Sequence, residues 1–260
     1  AIAQSAQQLP LRDQTQEKFG MISEESLDAK YIQTLKVTSL KELRALSVDK
    51  LLITPQEFQD GEFGGSFIDG QIIVGDPVPL FAAGKQHKVP FMIGVNSWDA
   101  SYFVLGQPPV ETYIKKMKED SKIVEKLYST FQEKCVLSAE IMFDGWYLGA
   151  TKLLANSANK YAPSYVYYFN YLTPNIRASH IGAAHTFELP YVFGSLNAVA
   201  STPKSDLSTN RCVYINQALV EMKQGATWSK YWFPITAPDN KEDQSISKQL
   251  TKSWTAFAKT

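Results

Sequence analysis

An α/β fold, with a mostly parallel sheet and helical crossovers, is what this sequence predicts, and three observations carry the prediction. Residues 89–95 are a short apolar run that opens with Pro90 and closes at Asn96. Residues 165–171 are a second run, aromatic and β-branched, of the composition that favours strands. Between them, residues 110–160 are rich in Lys, Glu, Leu and Ala, as two or three helices would be. Strand, helices, strand is the order of a parallel pair joined by a crossover. In such sheets functional groups sit beyond the carboxyl ends of the strands, so the residues after Val95 and after Tyr171 are the places to search.

The elements follow in order. Residues 1–60 begin with a short strand and continue mostly as helix, with Leu40, Leu43, Leu46, Leu51 and Leu52 at near-helical spacing. Residues 58–80 read as loop, with Gly61, Gly64, Gly65, Gly70 and Gly75 interleaved with Asp69 and Pro77. The 89–95 run is apolar at successive positions, which suits a strand buried on both faces. The charge run Lys115-Lys116-Met117-Lys118-Glu119-Asp120 is the wet face of a helix. After the second strand comes a loop with Pro174 and Gly182, then the apolar segment 187–193 and a polar stretch at 195–210. A helix is predicted at 208–224 and a last one from near Ser245. The aromatic groups Trp146/Tyr147, Trp228/Tyr231/Trp232 and 165–171 are expected in the core.

Composition bounds the function. The 260 residues are 44% hydrophobic, enough for a sizeable core. Lys and Arg number 26 and so do Asp and Glu, so charge gives no case for nucleic acid or an anionic membrane. No apolar run is long enough to span a bilayer. Cys135 and Cys212 fit no metal-binding spacing and can either pair or stay free. The chain opens Ala1-Ile2-Ala3 without an initiator Met or a signal-peptide pattern, and is expected to be the interior of a longer protein.

After the first strand stands Gly94-Val95-Asn96-Ser97-Trp98-Asp99-Ala100-Ser101-Tyr102-Phe103. After the second stands Gly182-Ala183-Ala184-His185-Thr186-Phe187-Glu188-Leu189-Pro190-Tyr191-Val192-Phe193-Gly194. The first resembles the type-B carboxylesterase (cholinesterase-like) stretch in which Gly-x-Asn precedes the acid of a catalytic triad. The second resembles that family's His-x-x-Glu-Leu-x-aromatic-Val-Phe-Gly stretch, which holds the triad histidine. Ala1-Ile2-x-Gln4-Ser5, Ile68-Asp69-Gly70 and Trp254-x-x-Phe257-Ala258-Lys259-Thr260 match further family segments in the same order. Members similar to bacterial para-nitrobenzyl esterases share the small residue before the histidine.

The resemblance implies the C-terminal part of one carboxylesterase catalytic domain over 1–260. The fold expected is a partial α/β-hydrolase with its N-terminal half missing. Asp99 and His185 are implied as acid and histidine, and Ser5 and Glu188 as supports. The substrate implied is a small-molecule ester, with no cofactor and no metal. The α/β-hydrolase triad runs Ser, acid, His along the chain, so the serine is expected upstream. No Gly-x-Ser-x-Gly occurs: the glycine pairs four apart, Gly61/Gly65 and Gly145/Gly149, centre on Phe63 and Tyr147.

An imidazole suits the role because its ordinary pKa near 6.5 lies close to operating pH. A carboxylate on its other nitrogen fixes the tautomer. Asp69 and Glu140 are the rival acids; one lies in a glycine-rich loop before the strand and the other inside a predicted helix. Asp99 on its own is also a plausible helix cap. His87, between Lys85 and Lys88, reads as a surface group. His180 lacks a Glu three residues on. Trp98 and Phe187 are candidates to approach an acyl or alcohol pocket. A second reading keeps the fold and drops the chemistry: a cholinesterase-like adhesion or binding protein.

Overall fold

The computed structural model describes residues 1–4, 10–52, 65–99, 114–115, 117–130, 137–173, 182–196, 220 and 240–259. The chain divides into two compact units, one from Leu9 to Gln86 and one formed by residues 1–8 with 87–260. Among the described residues no helix is long and apolar enough to cross a membrane.

The chain opens with β1 (Ile2–Gln4), which belongs to the larger unit. The smaller unit follows with β2 (Arg12–Asp13) and three helices, α1 (Glu24–Leu35), α2 (Leu40–Ala45) and α3 (Val48–Leu52). It continues with β3 (Phe67–Ile68), paired in parallel with β2, and α4 (Pro77–Ala82). Helices α1 and α2 start where the sequence supplies an oxygen for the first free N–H groups. Ser23 accepts from Ser26 N, and Ser39 accepts from Glu42 N, each at 3.2 Å. The leucine run expected as one stretch of helix breaks at Leu46, whose extended backbone (ψ 145°) ends α2.

In the larger unit, β4 (Phe91–Asn96) lies between β1 and β5 (Ser164–Phe169) in an all-parallel sheet ordered β1-β4-β5. Every residue of β4 is buried, as its continuous apolar run requires. Gly94 is opposite Tyr167, and a Cβ on Gly94 would stand 2.2 Å from the Tyr167 ring and 2.3 Å from its carbonyl oxygen. Only glycine fits there.

The crossover from β4 to β5 contains α5 (Ser121–Leu127), α6 (Leu137–Phe143), a π-helical stretch (Asp144–Gly149) and α7 (Ala150–Ala158). Val95, Phe143 and Tyr147 form one core cluster there, with Trp146 packed against it. The charge run is exposed where described, at Lys115 and at Lys118, Glu119 and Asp120. Beyond β5 come α8 (Leu189–Val192) and α9 (Lys241–Ala258).

Strand β5 stops two residues short of the expected end. Ser97 N takes the Phe169 carbonyl at 2.8 Å, and β4 offers no further ladder beyond it. Helix α9 begins four residues before Ser245, because Asn240 caps it by accepting from Asp243 N at 2.8 Å. Its first turn is polar, so no apolar periodicity marks it in the sequence. Trp254 and Phe257 of α9 meet Tyr167 and Tyr165 edge-on, with centroids 4.9 and 5.7 Å apart. The second core cluster joins Phe169, Ala183, Phe187, Tyr191 and Leu196 to Ile246 and Leu250 of α9. Trp228, Tyr231, Trp232, Cys135, Cys212 and all but one residue of the helix expected at 208–224 lie outside the described residues.

Candidate active site

Two segments leave the carboxyl ends of the neighbouring strands β4 and β5 and meet. Past Asn96 the chain turns, and Trp98 N donates to the Ala183 carbonyl at 2.9 Å, while Ala183 N donates to Ser97 Oγ at 2.8 Å. Trp98 and Ala184 form a parallel bridge. The crossing is tight: a Cβ on Gly182 would come within 2.8 Å of Trp98 Cβ and 2.9 Å of Ser97 Oγ. These links place the residue after Ala184 over the residue after Trp98.

Those residues are His185 and Asp99. His185 Nδ1 lies 2.7 Å from Asp99 Oδ1. The Asp99 side chain is fully buried (0% exposed), whereas the imidazole is 31% exposed. The other oxygen of Asp99 accepts from Asn96 N at 2.9 Å, which fixes the carboxylate plane. The hydrogen bond to Asp99 raises the His185 pKa above its ordinary value. Burial opposes this, and the charges of Asp99 and Glu188 add to it. With Nδ1–H donated to Asp99, the basic lone pair resides on Nε2, so the pair can accept and return a proton there.

Glu188 is almost fully buried. It anchors the histidine segment by a route the sequence did not indicate, through Asn96 at the end of β4. Asn96 Nδ2 donates to Glu188 Oε2 and, at 2.8 Å, to the Ala184 carbonyl. Burial raises the Glu188 pKa, and the Asn96 bond works against that rise. Asn96 is thus the residue that sequence reasoning quoted without giving it a role. Its position at a strand end was the available signal, but both acceptors are about ninety residues away along the chain. Between His185 and Phe187, Thr186 holds a left-handed backbone (φ 68°), which a β-branched side chain adopts only under strain. Strain of this kind persists where the surroundings over-determine the backbone, and it clusters at functional sites.

The remaining candidates fall elsewhere. The Asp69 carboxylate accepts from the N–H groups of Gln71, Ile72 and Ile73 at 2.8–2.9 Å, and so closes a turn. Glu140 lies in α6, His87 is exposed, and His180 and Ser5 lie outside the described residues. Phe187, a candidate for a substrate pocket, instead fills the core beside Phe169 and Tyr191, and Trp98 is buried as well. Among the described residues no group of three or more His, Cys, Asp or Glu could hold a metal ion.

No family model matches the chain. Among solved structures, it superposes on a PNB esterase with a TM-score of 0.62 and 18% identity, covering 90% of this chain and 44% of that one. The chain has a partial α/β-hydrolase fold. A thermophilic PNB esterase matches with a TM-score of 0.58 and 21% identity, over 90% of this chain and 44% of that one. A carboxylesterase of Geobacillus stearothermophilus gives a TM-score of 0.57 and 17% identity, over 91% and 45%. In sequence, the acylcarnitine hydrolase of Rattus norvegicus is 24% identical, over 61% of this chain and 32% of its own length. The chain therefore spans less than half the length of each of these relatives. The expected partial α/β-hydrolase fold is thereby found, and within it Asp99 and His185 stand at the ends of adjacent parallel strands.

Proposed function

We propose that this chain is the acid- and histidine-bearing part of a serine carboxylesterase that hydrolyses small-molecule carboxylic esters through an acyl-enzyme. The observation that carries the reading is the 2.7 Å contact of His185 Nδ1 with buried Asp99, made by residues 86 apart in sequence. The likeness to esterases and to an acylcarnitine hydrolase supports it. The 260 residues hold no Gly-x-Ser-x-Gly, so the reading places the nucleophile in a segment upstream of Ala1, in the chain order of this fold. Both compact units then belong to one catalytic domain, completed by that segment, and Ser5 steadies the acid.

In the reaction, the serine oxygen attacks the ester carbonyl while His185 Nε2 takes its proton. The imidazolium returns that proton to the departing alcohol. Water, deprotonated by the same nitrogen, then attacks the acyl-enzyme, and the serine leaves with the proton. Asp99 holds the tautomer and stabilises the imidazolium throughout. On this reading the 260 residues alone show no esterase activity, since nucleophile and oxyanion donors are elsewhere.

The test is His185→Ala in the full-length protein with a p-nitrophenyl ester. Turnover should fall by roughly 10²-fold or more while the fold is retained, in line with the worth of general acid–base catalysis. Activity near wild type would end the assignment. The upstream sequence gives an independent check: a non-nucleophile where Gly-x-Ser-x-Gly places its serine would make the parent a binding protein.

A further inference from the structure

We propose that α9 positions His185 through a clamp of Asp243, Ser247 and Thr251, with Asp243 as the positioning residue that closes the base of the histidine segment; this rests on His185 being the general base. The three residues are four apart on one helix and so share a face. All three bond to Tyr191 or Val192, and Asp243 reaches Tyr171 as well. Asp243 Oδ1 accepts from the hydroxyls of Tyr171 and Tyr191, each at 2.9 Å. Ser247 Oγ donates to the Tyr191 carbonyl at 2.9 Å. Thr251 Oγ1 reaches the Val192 carbonyl at 3.0 Å and that of Tyr191 at 3.2 Å.

The two tyrosines identify what the clamp holds. Tyr171 lies just beyond β5 and Tyr191 lies in α8, so they flank His185 on either side in sequence. One buried carboxylate fixes both ends of the excursion that carries the imidazole. Capping α9 needs neither of them, because Asn240 already accepts from Asp243 N and donates to Asp243 Oδ2. The two hydroxyl donors answer a need of α8. A four-residue helix ends in carbonyls without intrahelical partners, and Ser247 and Thr251 serve those of Tyr191 and Val192.

The buried Asp243 charge is offset by three donors and by its place in the first turn of a long helix. On the other side, Asn96, Ser97 and Trp98 hold Ala183, Ala184 and Glu188. The strained Thr186 backbone, next to His185, sits between these two anchorages. Release of the α9 side lets that strain relax by turning the imidazole away from Asp99.

Among the described residues, Asp99 and Glu188 act on His185, Tyr171, Tyr191 and Asn240 bond to Asp243, and Glu242 acts on Tyr191. Weakening the Asp99 contact removes what raises the His185 pKa, so the acid limb of kcat/KM should move to lower pH.

The experiment uses the full-length protein with p-nitrophenyl acetate, and counts active sites with a phosphonate that labels the serine. In Asp243→Ala, and in the milder pair Tyr171→Phe with Tyr191→Phe, kcat per titrated site should fall about tenfold, short of the ~10²-fold cost of an ångström of misplacement. KM should be unchanged and the acid limb displaced downward. A purely structural role would lower the number of titratable sites and leave kcat per site and the acid limb alone; that result in either folded variant overturns the proposal. If Asp243→Ala does not fold, the double tyrosine variant decides by the same criteria. If the wild type neither turns over ester nor takes the label, the esterase reading fails. The clamp is then judged by NMR titration of His185: a lower pKa in the tyrosine variant supports it, and an unchanged one refutes it.

Discussion

The unit from Leu9 to Gln86 and the unit built on the three-stranded sheet are held together in different ways. In the first, Leu27 is the one fully buried apolar side chain among the described residues, and most side-chain hydrogen bonds are local. Asp13 serves Thr15, Gln16 and Lys18, Asp69 serves the three N–H groups that follow it, and Ser23 and Ser39 cap their helices. In the second, β4 is buried along its whole length, and the bonds that tie the site's segments together join residues 52 to 92 apart, with the Asn96–Asp99 bond added locally. Local bonds can be lost one at a time. The long-range set shares residues: Asn96 touches Asp99, Ala184 and Glu188, and Asp243 touches both tyrosines. Damage to one member is therefore expected to reach the others.

The largest effect that contrast predicts is at Asp99. In the full-length protein, Asp99→Asn should lower kcat by a factor on the order of 10⁴, because an amide there favours the wrong tautomer of His185. Steady-state kinetics checks this, and a loss under tenfold would remove Asp99 from the proposed triad. Next comes Gly94→Ala. Its methyl meets both ring and backbone of Tyr167, so β4 and β5 must part, at a cost of at least about 1–3 kcal/mol in urea unfolding.

Glu188→Gln probes the electrostatics. Burial raises the Glu188 pKa, so the folded state keeps that proton to higher pH than the unfolded chain does. Stability then falls as pH rises from the ordinary glutamate value of about 4.3 through the folded one. The glutamine variant should lack this slope and gain on the wild type as pH rises above the ordinary glutamate range. A difference between the two that is independent of pH would place the charge in water. His185 has the same sign: its raised pKa contributes stability below about pH 6.5 that is lost as pH rises past the folded value.

The smallest effect belongs to the local unit. Ser39→Ala should cost about 0.5–1 kcal/mol, the usual worth of an N-cap at the surface. Esterase kinetics should be unchanged. A change in kcat from Ser39→Ala would mean that the two kinds of bonding are coupled after all.

The parts legible in the sequence are those whose cause is local. An unbroken apolar run between Pro90 and Asn96 has to be a buried strand, and the aromatic run from Tyr165 has to pair with it across a helical crossover. Strand ends, where a parallel sheet exposes groups, marked the place to search, and the resemblance of the segments found there to the carboxylesterase pattern named Asp99 and His185. Two-residue strands such as Arg12–Asp13 and Phe67–Ile68 are too short to leave a period, so their pairing was not legible. The polar first turn of α9 hid its start in the same way.

What only the tertiary structure decided is which distant atoms share a bond. Nothing near Asn96 states that its amide spans Glu188 and Ala184, and nothing near Asp243 states that two tyrosines close on it. Phe187 shows the same limit from the other side, since its neighbours in sequence suggest a pocket and its neighbours in space make it core. Backbone preference and hydrophobic period act within a few residues, and so they can be read along the chain. Burial and hydrogen-bond satisfaction act between whichever groups the sheet brings together, and that is settled only when the strands have paired.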